Sequence, residues 1–129
     1  MGRFSEAIFG RNNLPESCII YGGAYLPERK DWIKSVFDRW QRIEGYWGRH
    51  SYACRNGKEY LLTFNVYGPP MVLEILHLLK DGCTKKVFFI GSMGGKDLPI
   101  GTIVLPSKVI DKTGFVSADI RGKQIVRLN

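Results

Sequence analysis

One stretch constrains this chain more than any other: Lys86-Val-Phe-Phe-Ile-Gly-Ser-Met-Gly-Gly95, followed by Lys96-Asp-Leu-Pro-Ile-Gly101 and Thr102-Ile-Val-Leu-Pro106. Four consecutive apolar residues, Val87 to Ile90, predict a strand covered on both faces. Gly91, Gly94 and Gly95 let backbone approach a ligand closely, and Ser92 adds a hydroxyl and an amide to the same turn. Thr102–Pro106 reads as a second strand, which Val109-Ile110 continue. The expectation is a strand, a glycine loop that floors a ligand site, and a second strand.

The rest of the chain alternates strands and helices. Residues 1–16 show no clear period, and Asn12–Glu16 reads as a turn. Cys18-Ile-Ile-Tyr21 predicts a short buried strand running into Gly22-Gly23. Apolar residues at helical spacing (Trp32, Ile33, Val36, Phe37, Trp40 and Ile43) predict a helix from about Glu28 to Ile43, with the tryptophans in the core. Arg49–Arg55 and Glu59–Tyr67 read as strands of a hairpin turned by Asn56-Gly57, a pair suited to positive φ at both central positions. A helix from about Pro69 to Lys80, apolar nearly all round, should pack deeply. Phe115–Leu128 reads as a last irregular or hairpin segment around Gly122. With no linker and no repeat, residues 1–129 form a single α/β domain with ligands at strand carboxyl ends.

Composition excludes several classes. The three cysteines, Cys18, Cys54 and Cys83, are far apart and contain no CxxC pair, which points away from disulfides and zinc and toward a cytoplasmic setting. His50 and His77 are too isolated for a metal centre, so no metal site and no cofactor are expected. No run of 18 apolar residues exists, and the first residues lack the apolar core of a signal peptide, so no membrane partner is expected. The net charge of +7 suits anionic partners, although surplus lysine that keeps the chain soluble is the plainer account.

The two glycine junctions, Tyr21-Gly-Gly23 and Ile90-Gly-Ser-Met-Gly-Gly95, match neither a Walker A nor a GxGxxG pattern. Ser92 does not sit in a G-x-S-x-G elbow, which weighs against a nucleophilic role. Together with Leu98-Pro-Ile-Gly-Thr-Ile-Val-Leu-Pro106, however, the second junction resembles the central segment of the nucleoside phosphorylase family, which includes purine nucleoside and uridine phosphorylases and related nucleosidases. Ile20-Tyr-Gly-Gly23 is similar to that family's first strand, Glu44–Gly48 with the Asn56-Gly57 hairpin to its next segment, and Tyr67-Gly-Pro-Pro-Met71 to its entry into the second helix. The resemblance spans about residues 17–112. It implies a three-layer α/β/α fold with a central mixed sheet, corresponding to the N-terminal half of the family fold. It also implies a nucleoside ligand near Gly23, Met93 and Gly94, with phosphate at Gly22 and Ser92 as a co-substrate for N-glycosidic bond cleavage.

The departures from the family pattern are specific. Leu26, Glu44 and Phe89 stand where the family's phosphate-binding arginines belong; Arg29, Arg42 and Arg49 are the nearby candidates to replace them. The family's ribose-binding Met-Glu pair and purine-protonating acid belong to a C-terminal half that this chain does not reach. Catalytic residues are therefore unassigned, and activity is expected to be impaired or to need a second chain. The partners implied are a nucleoside and either further copies of this chain or a complementary C-terminal-half chain. Two alternatives stay open. One is a non-catalytic nucleoside- or nucleotide-binding or assembly module. The other is single-stranded nucleic-acid binding through the basic, aromatic segment 29–55, against which the expected core placement of Trp32 and Trp40 weighs.

Overall fold

The structure, a computed structural model, describes residues 2–23, 27–43, 49–80, 82–92, 95–110 and 125–127. The chain divides into two compact units, Met1–Ser92 and Met93–Asn129. The first is built on a mixed five-stranded sheet with helices. Its elements are α1 (Gly2–Phe9), β1 (Ser17–Gly22), α2 (Pro27–Ser35), β2 (Arg39–Ile43), β3 (Arg49–Arg55), β4 (Lys58–Val66), α3 (Gly68–Lys80) and β5 (Lys86–Ile90). The strand order is β2-β3-β4-β1-β5. β2, β3 and β4 form an antiparallel meander, and β1 lies parallel to both β4 and β5.

Alternation along β1 shows how the sheet is covered. Cys18 and Ile20 belong to one core cluster with Phe9 of α1 and Ile75 and Leu79 of α3. Ile19 and Tyr21 pack instead against Ile33 of α2, Leu62 and Phe64. A period of two sends neighbouring side chains to opposite faces, so each face of the sheet has its own apolar cluster. The hairpin between β3 and β4 turns at Asn56 and Gly57, both at positive φ (51° and 72°), as the Asn-Gly pair predicts.

The first residues are helical where no period was legible. α1 is a short amphipathic helix of about two turns: Ser5 and Phe9 are buried while Phe4 is exposed. Gly10 ends it in the left-handed region (φ 73°), its N–H donating to the Glu6 carbonyl at 2.8 Å. The buried Tyr52 hydroxyl donates to the Phe9 carbonyl at 2.7 Å, satisfying a group the helix leaves open. Arg11 then lies over the Tyr52 ring, 3.7 Å from its centroid, and pairs with Glu59.

The helix expected over 28–43 stops at Ser35. The Ser35 hydroxyl donates to the Trp32 carbonyl at 2.6 Å, and Val36 and Phe37 close with three-residue turns. Asp38 is then held by the next hairpin: its N–H donates to Cys54 O, and its carboxylate accepts the Asn56 N–H, both at 2.8 Å. Trp40 therefore lies in β2 opposite Ala53 rather than extending the helix. A short apolar run fits either period, and here strand pairing decides it. Trp32 consequently points outward, 69% exposed, while Ile33 is buried.

Two expectations of deep burial are also corrected. α3 buries Ile75 and Leu79 and half-buries Met71, Val72 and Leu78 against one cluster, but exposes Leu76. It lies on the sheet with one face. β5 forms as predicted, yet Phe88 and Phe89 are 53% and 57% exposed. Among the described residues its only strand neighbour is β1, so the apolar run is an edge.

In the second unit Thr102–Pro106 forms no strand. Pro99–Thr102 turns with Gly101 at φ 89°, Thr102 N–H and hydroxyl both reaching the Pro99 carbonyl. Lys108–Ile110 pairs antiparallel with Ile125–Arg127. Residues 111–124, and with them the turn expected at Gly122, lie outside the described residues.

Candidate functional site

Strand directions decide which loops meet. β2, β4, β1 and β5 all run the same way, with β3 opposed. Their carboxyl ends form one crest, the edge at which open α/β sheets hold ligands. Tyr21 and Ile90 are direct register partners. Gly22-Gly23 and Gly91-Ser92, distant in sequence, therefore leave the sheet side by side.

The Phe89 ring fills the gap between these junctions. A Cβ built on Gly22 would lie 2.5 Å from Phe89 Cζ, and one on Gly91 3.0 Å from its Cε1. Only glycine leaves room for that ring. Gly23 takes φ 92°, and its N–H donates to the Val66 carbonyl at 3.1 Å, tying the first junction to the end of β4. Ser92 is exposed. Of the predicted site residues, Gly22, Gly23 and Ser92 thus belong to one crest; Met93 and Gly94 lie outside the described residues, as do Leu26 and Glu44.

Asn65 shapes the same crest and was not foreseen. It holds φ 58° inside a strand, in a region that L-residues other than asparagine and aspartate seldom enter. Pairing runs from Ile20↔Thr63 to Gly22↔Val66, so β4 carries one extra residue there. The bulge moves Val66 to the opposite face from Phe64: Phe64 packs in one core cluster and Val66 in the other. Nothing in sequence periodicity marks this; an asparagine between two apolar strand residues is the only local signal.

A second feature lies at the other end of the crest. A cleft of about 260 Å³ is lined by Lys34 of α2, Trp40 and Arg42 of β2, Arg49, His50 and Ser51 of β3, and Phe64 of β4. Its aromatic wall is continuous with the first junction. Trp40 packs against Phe37 and Phe64, and Phe64 stacks on Tyr21 with ring centroids 4.9 Å apart and planes at 8°. Burial raises the Tyr21 hydroxyl pKa. Arg49-x-Ser51 lies in a segment already read as a strand, whereas the period-two spacing of Trp40-x-Arg42 is the signal that a helical reading of residues 28–43 conceals.

Beneath the opposite face, Cys18, Thr63 and His50 form a buried polar line. His50 Nδ1 is 3.3 Å and Cys18 Sγ 4.0 Å from the Thr63 hydroxyl. Burial pushes the Cys18 thiol up to about 12, against a smaller opposing effect of Thr63, so it is no nucleophile at neutral pH. Among the described residues, no group of three or more His, Cys, Asp or Glu is placed to hold a metal ion, and no helix is long and apolar enough to cross a membrane. No family model matches the chain, and no curated protein matches it.

Proposed function

We propose that this protein is nucleoside phosphorylase-like: a three-layer α/β/α fold that binds a purine or pyrimidine nucleoside at the crest of β1 and β5, for N-glycosidic bond cleavage. One observation carries the reading: parallel pairing brings the two glycine junctions, Gly22-Gly23 and Gly91-Ser92, to one place. Two glycine loops at adjacent strand ends offer backbone N–H groups to a polar ligand at close range. Phe89 gives the same place an apolar ring, which suits a nucleobase or ribose face better than an isolated phosphate. Ser92 and the Gly22 amide remain as polar contacts for inorganic phosphate.

The test is a screen of inosine, adenosine and uridine, with and without phosphate, reading thermal shift and release of free base. Binding with base release is expected of an active phosphorylase or nucleosidase; binding without release marks a non-catalytic nucleoside-binding module. Gly22→Leu should abolish the shift, because its side chain must displace the Phe89 ring. Absence of any nucleoside effect on the wild-type protein would overturn the reading.

The partner we propose is a second copy of this chain or a complementary chain, paired along β5. An apolar edge strand with unsatisfied backbone groups is a template for pairing. Sedimentation should show concentration-dependent association, and Phe88→Lys should shift it toward monomer. A monomer at all concentrations would refute this.

A further inference from the structure

We infer that Asn56, at the tip of the β3–β4 hairpin, is a site of spontaneous covalent modification. It deamidates to a mixture of aspartate and isoaspartate, and the isoaspartyl form uncouples β2 from the hairpin. The inference does not rest on the nucleoside reading, since neither Asn56 nor Asp38 belongs to either glycine junction.

The reaction needs a side-chain amide followed by an unhindered backbone N–H. The Gly57 nitrogen gives up its proton and attacks Asn56 Cγ. The bond from Cγ to the amide nitrogen breaks, and that nitrogen leaves as ammonia. The cyclic imide then takes up a water at either of its carbonyls. Opening at one carbonyl leaves aspartate; opening at the other leaves isoaspartate, whose main chain runs through the former side chain. Ammonia is exchanged for water, and nothing is oxidised or reduced. Of Asn12, Asn13, Asn56, Asn65 and Asn129, only Asn56 precedes a glycine. Asn12, Asn13 and Asn65 precede Asn13, Leu14 and Val66, whose side chains crowd the nitrogen that would have to attack.

The fold leaves this tip open to the reaction. Asn56 and Gly57 are exposed, and a Cβ built on Gly57 would meet nothing within 4 Å. The tip is held by the ladder pairing of Arg55 with Lys58 and by the bond from Asn56 N–H to Asp38 Oδ2, 2.8 Å long. Closing the imide ring turns the Asn56–Gly57 peptide into a new orientation, so the rate follows how often the tip opens. A solvent-exposed loop tip is where such opening costs least.

The product acts on β2 through Asp38. The Asp38 N–H donates to Cys54 O and its carboxylate accepts the Asn56 N–H. That double tie sets Arg39 opposite Cys54 and Trp40 opposite Ala53. Deamidation weakens it in two ways. A new carboxylate on residue 56 stands near the Asp38 carboxylate, and like charges repel. Isoaspartate also inserts a methylene into the main chain of a two-residue turn, whose length fixes the pairing of Arg55 with Lys58. Aspartate adds the charge but tolerates the positive φ of this position. Isoaspartate is therefore the disruptive product, and β2 is the strand it loosens.

The experiment incubates the full chain at about pH 8, where Cys18 keeps its proton folded or unfolded, and samples it over weeks. Peptide mass mapping locates the deamidated residue, and methyl transfer by a protein isoaspartyl methyltransferase measures isoaspartate. Isoaspartate should accumulate at Asn56 ahead of every other asparagine. Asn56→Gly, which keeps the positive φ and removes the amide, should abolish methyl acceptance. Asp38→Ala, which frees the tip, should quicken accumulation about tenfold, the effect of one charge-assisted hydrogen bond. The isoaspartyl chain, separated by ion exchange, should exchange the backbone amides of Arg39–Ile43 with solvent faster than the unmodified chain does. Asn56→Asp should change that exchange much less. The inference is overturned if no isoaspartate forms at Asn56, if another asparagine reacts first, or if Asp38→Ala reacts no faster than the wild type. Equal exchange of Arg39–Ile43 in the isoaspartyl and unmodified chains would overturn it too.

Discussion

Replacing Phe9 with alanine is expected to lower the unfolding free energy by about 3–5 kcal/mol, the range for deleting a fully buried aromatic side chain. Phe9 is wholly inaccessible and joins α1 to the cluster of Cys18, Ile20, Leu61 and Ile75. Its ring meets His50 edge-on, with centroids 4.9 Å apart. Truncation removes that contact and leaves a cavity lined by groups that strand pairing holds in place, so little collapse can offset it. Gly10→Ala provides the comparison. It keeps the ring but forces a Cβ into the left-handed region, at a cost of about 1–2 kcal/mol. Urea midpoints of the two variants should rank in that order. A Phe9→Ala variant as stable as wild type would mean that α1 does not pack on the sheet.

That the most consequential core residue lies in a segment without legible period says where sequence reading runs out. The β3–β4 hairpin was legible because Asn56-Gly57 encodes its backbone conformation locally. β1 and β5 were legible as strands because β-branched and aromatic runs carry that preference in themselves. α1 is too short to display a period: among its described side chains only Ser5 and Phe9 are buried, one of them polar, and what makes it a helix is its packing and the Tyr52 hydroxyl on its last carbonyl. The end of α2 was hidden for the opposite reason. Its apolar spacing continues helically through Trp40, but the distant Cys54 and Asn56 capture Asp38 and start a strand.

The site follows the same division. Glycines at the ends of two strands were visible one at a time, and that they meet is a property of the strand order, which no local pattern contains. Phe89 shows the limit most clearly. In sequence it belongs to an apolar run that predicts burial, whereas in the fold it lies on an edge strand, with its ring against Gly22 and Gly91. The bulge at Asn65 and the cationic cleft depend on register between strands, and register is set by the whole meander rather than by either strand alone.

Stability should also fall steeply in alkali, and Cys18 should set where the fall begins. Burial pushes its thiol up from 9.0 to about 12 in the folded chain. Below pH 9 the thiol keeps its proton folded or unfolded, and pH has no leverage through it. Between about 9 and 12 the unfolded chain releases that proton while the folded chain holds it, so the unfolded state binds fewer protons and stability drops as pH rises, by up to about 1.4 kcal/mol per unit. Burial also raises Tyr21 and Tyr52, with Arg11 partly opposing it at Tyr52, so their contributions have the same sign and start nearer pH 10. Cys18→Ala removes only the first of these. Urea midpoints followed from pH 8 upward, to about the unfolded tyrosine pKa of 10, should decline in the wild type and stay nearly level in the variant. Beyond that pH both should decline. Parallel curves across the lower interval would show that the thiol ionises as readily in the folded chain as in the unfolded one, and that the space between Cys18 and Thr63 admits water.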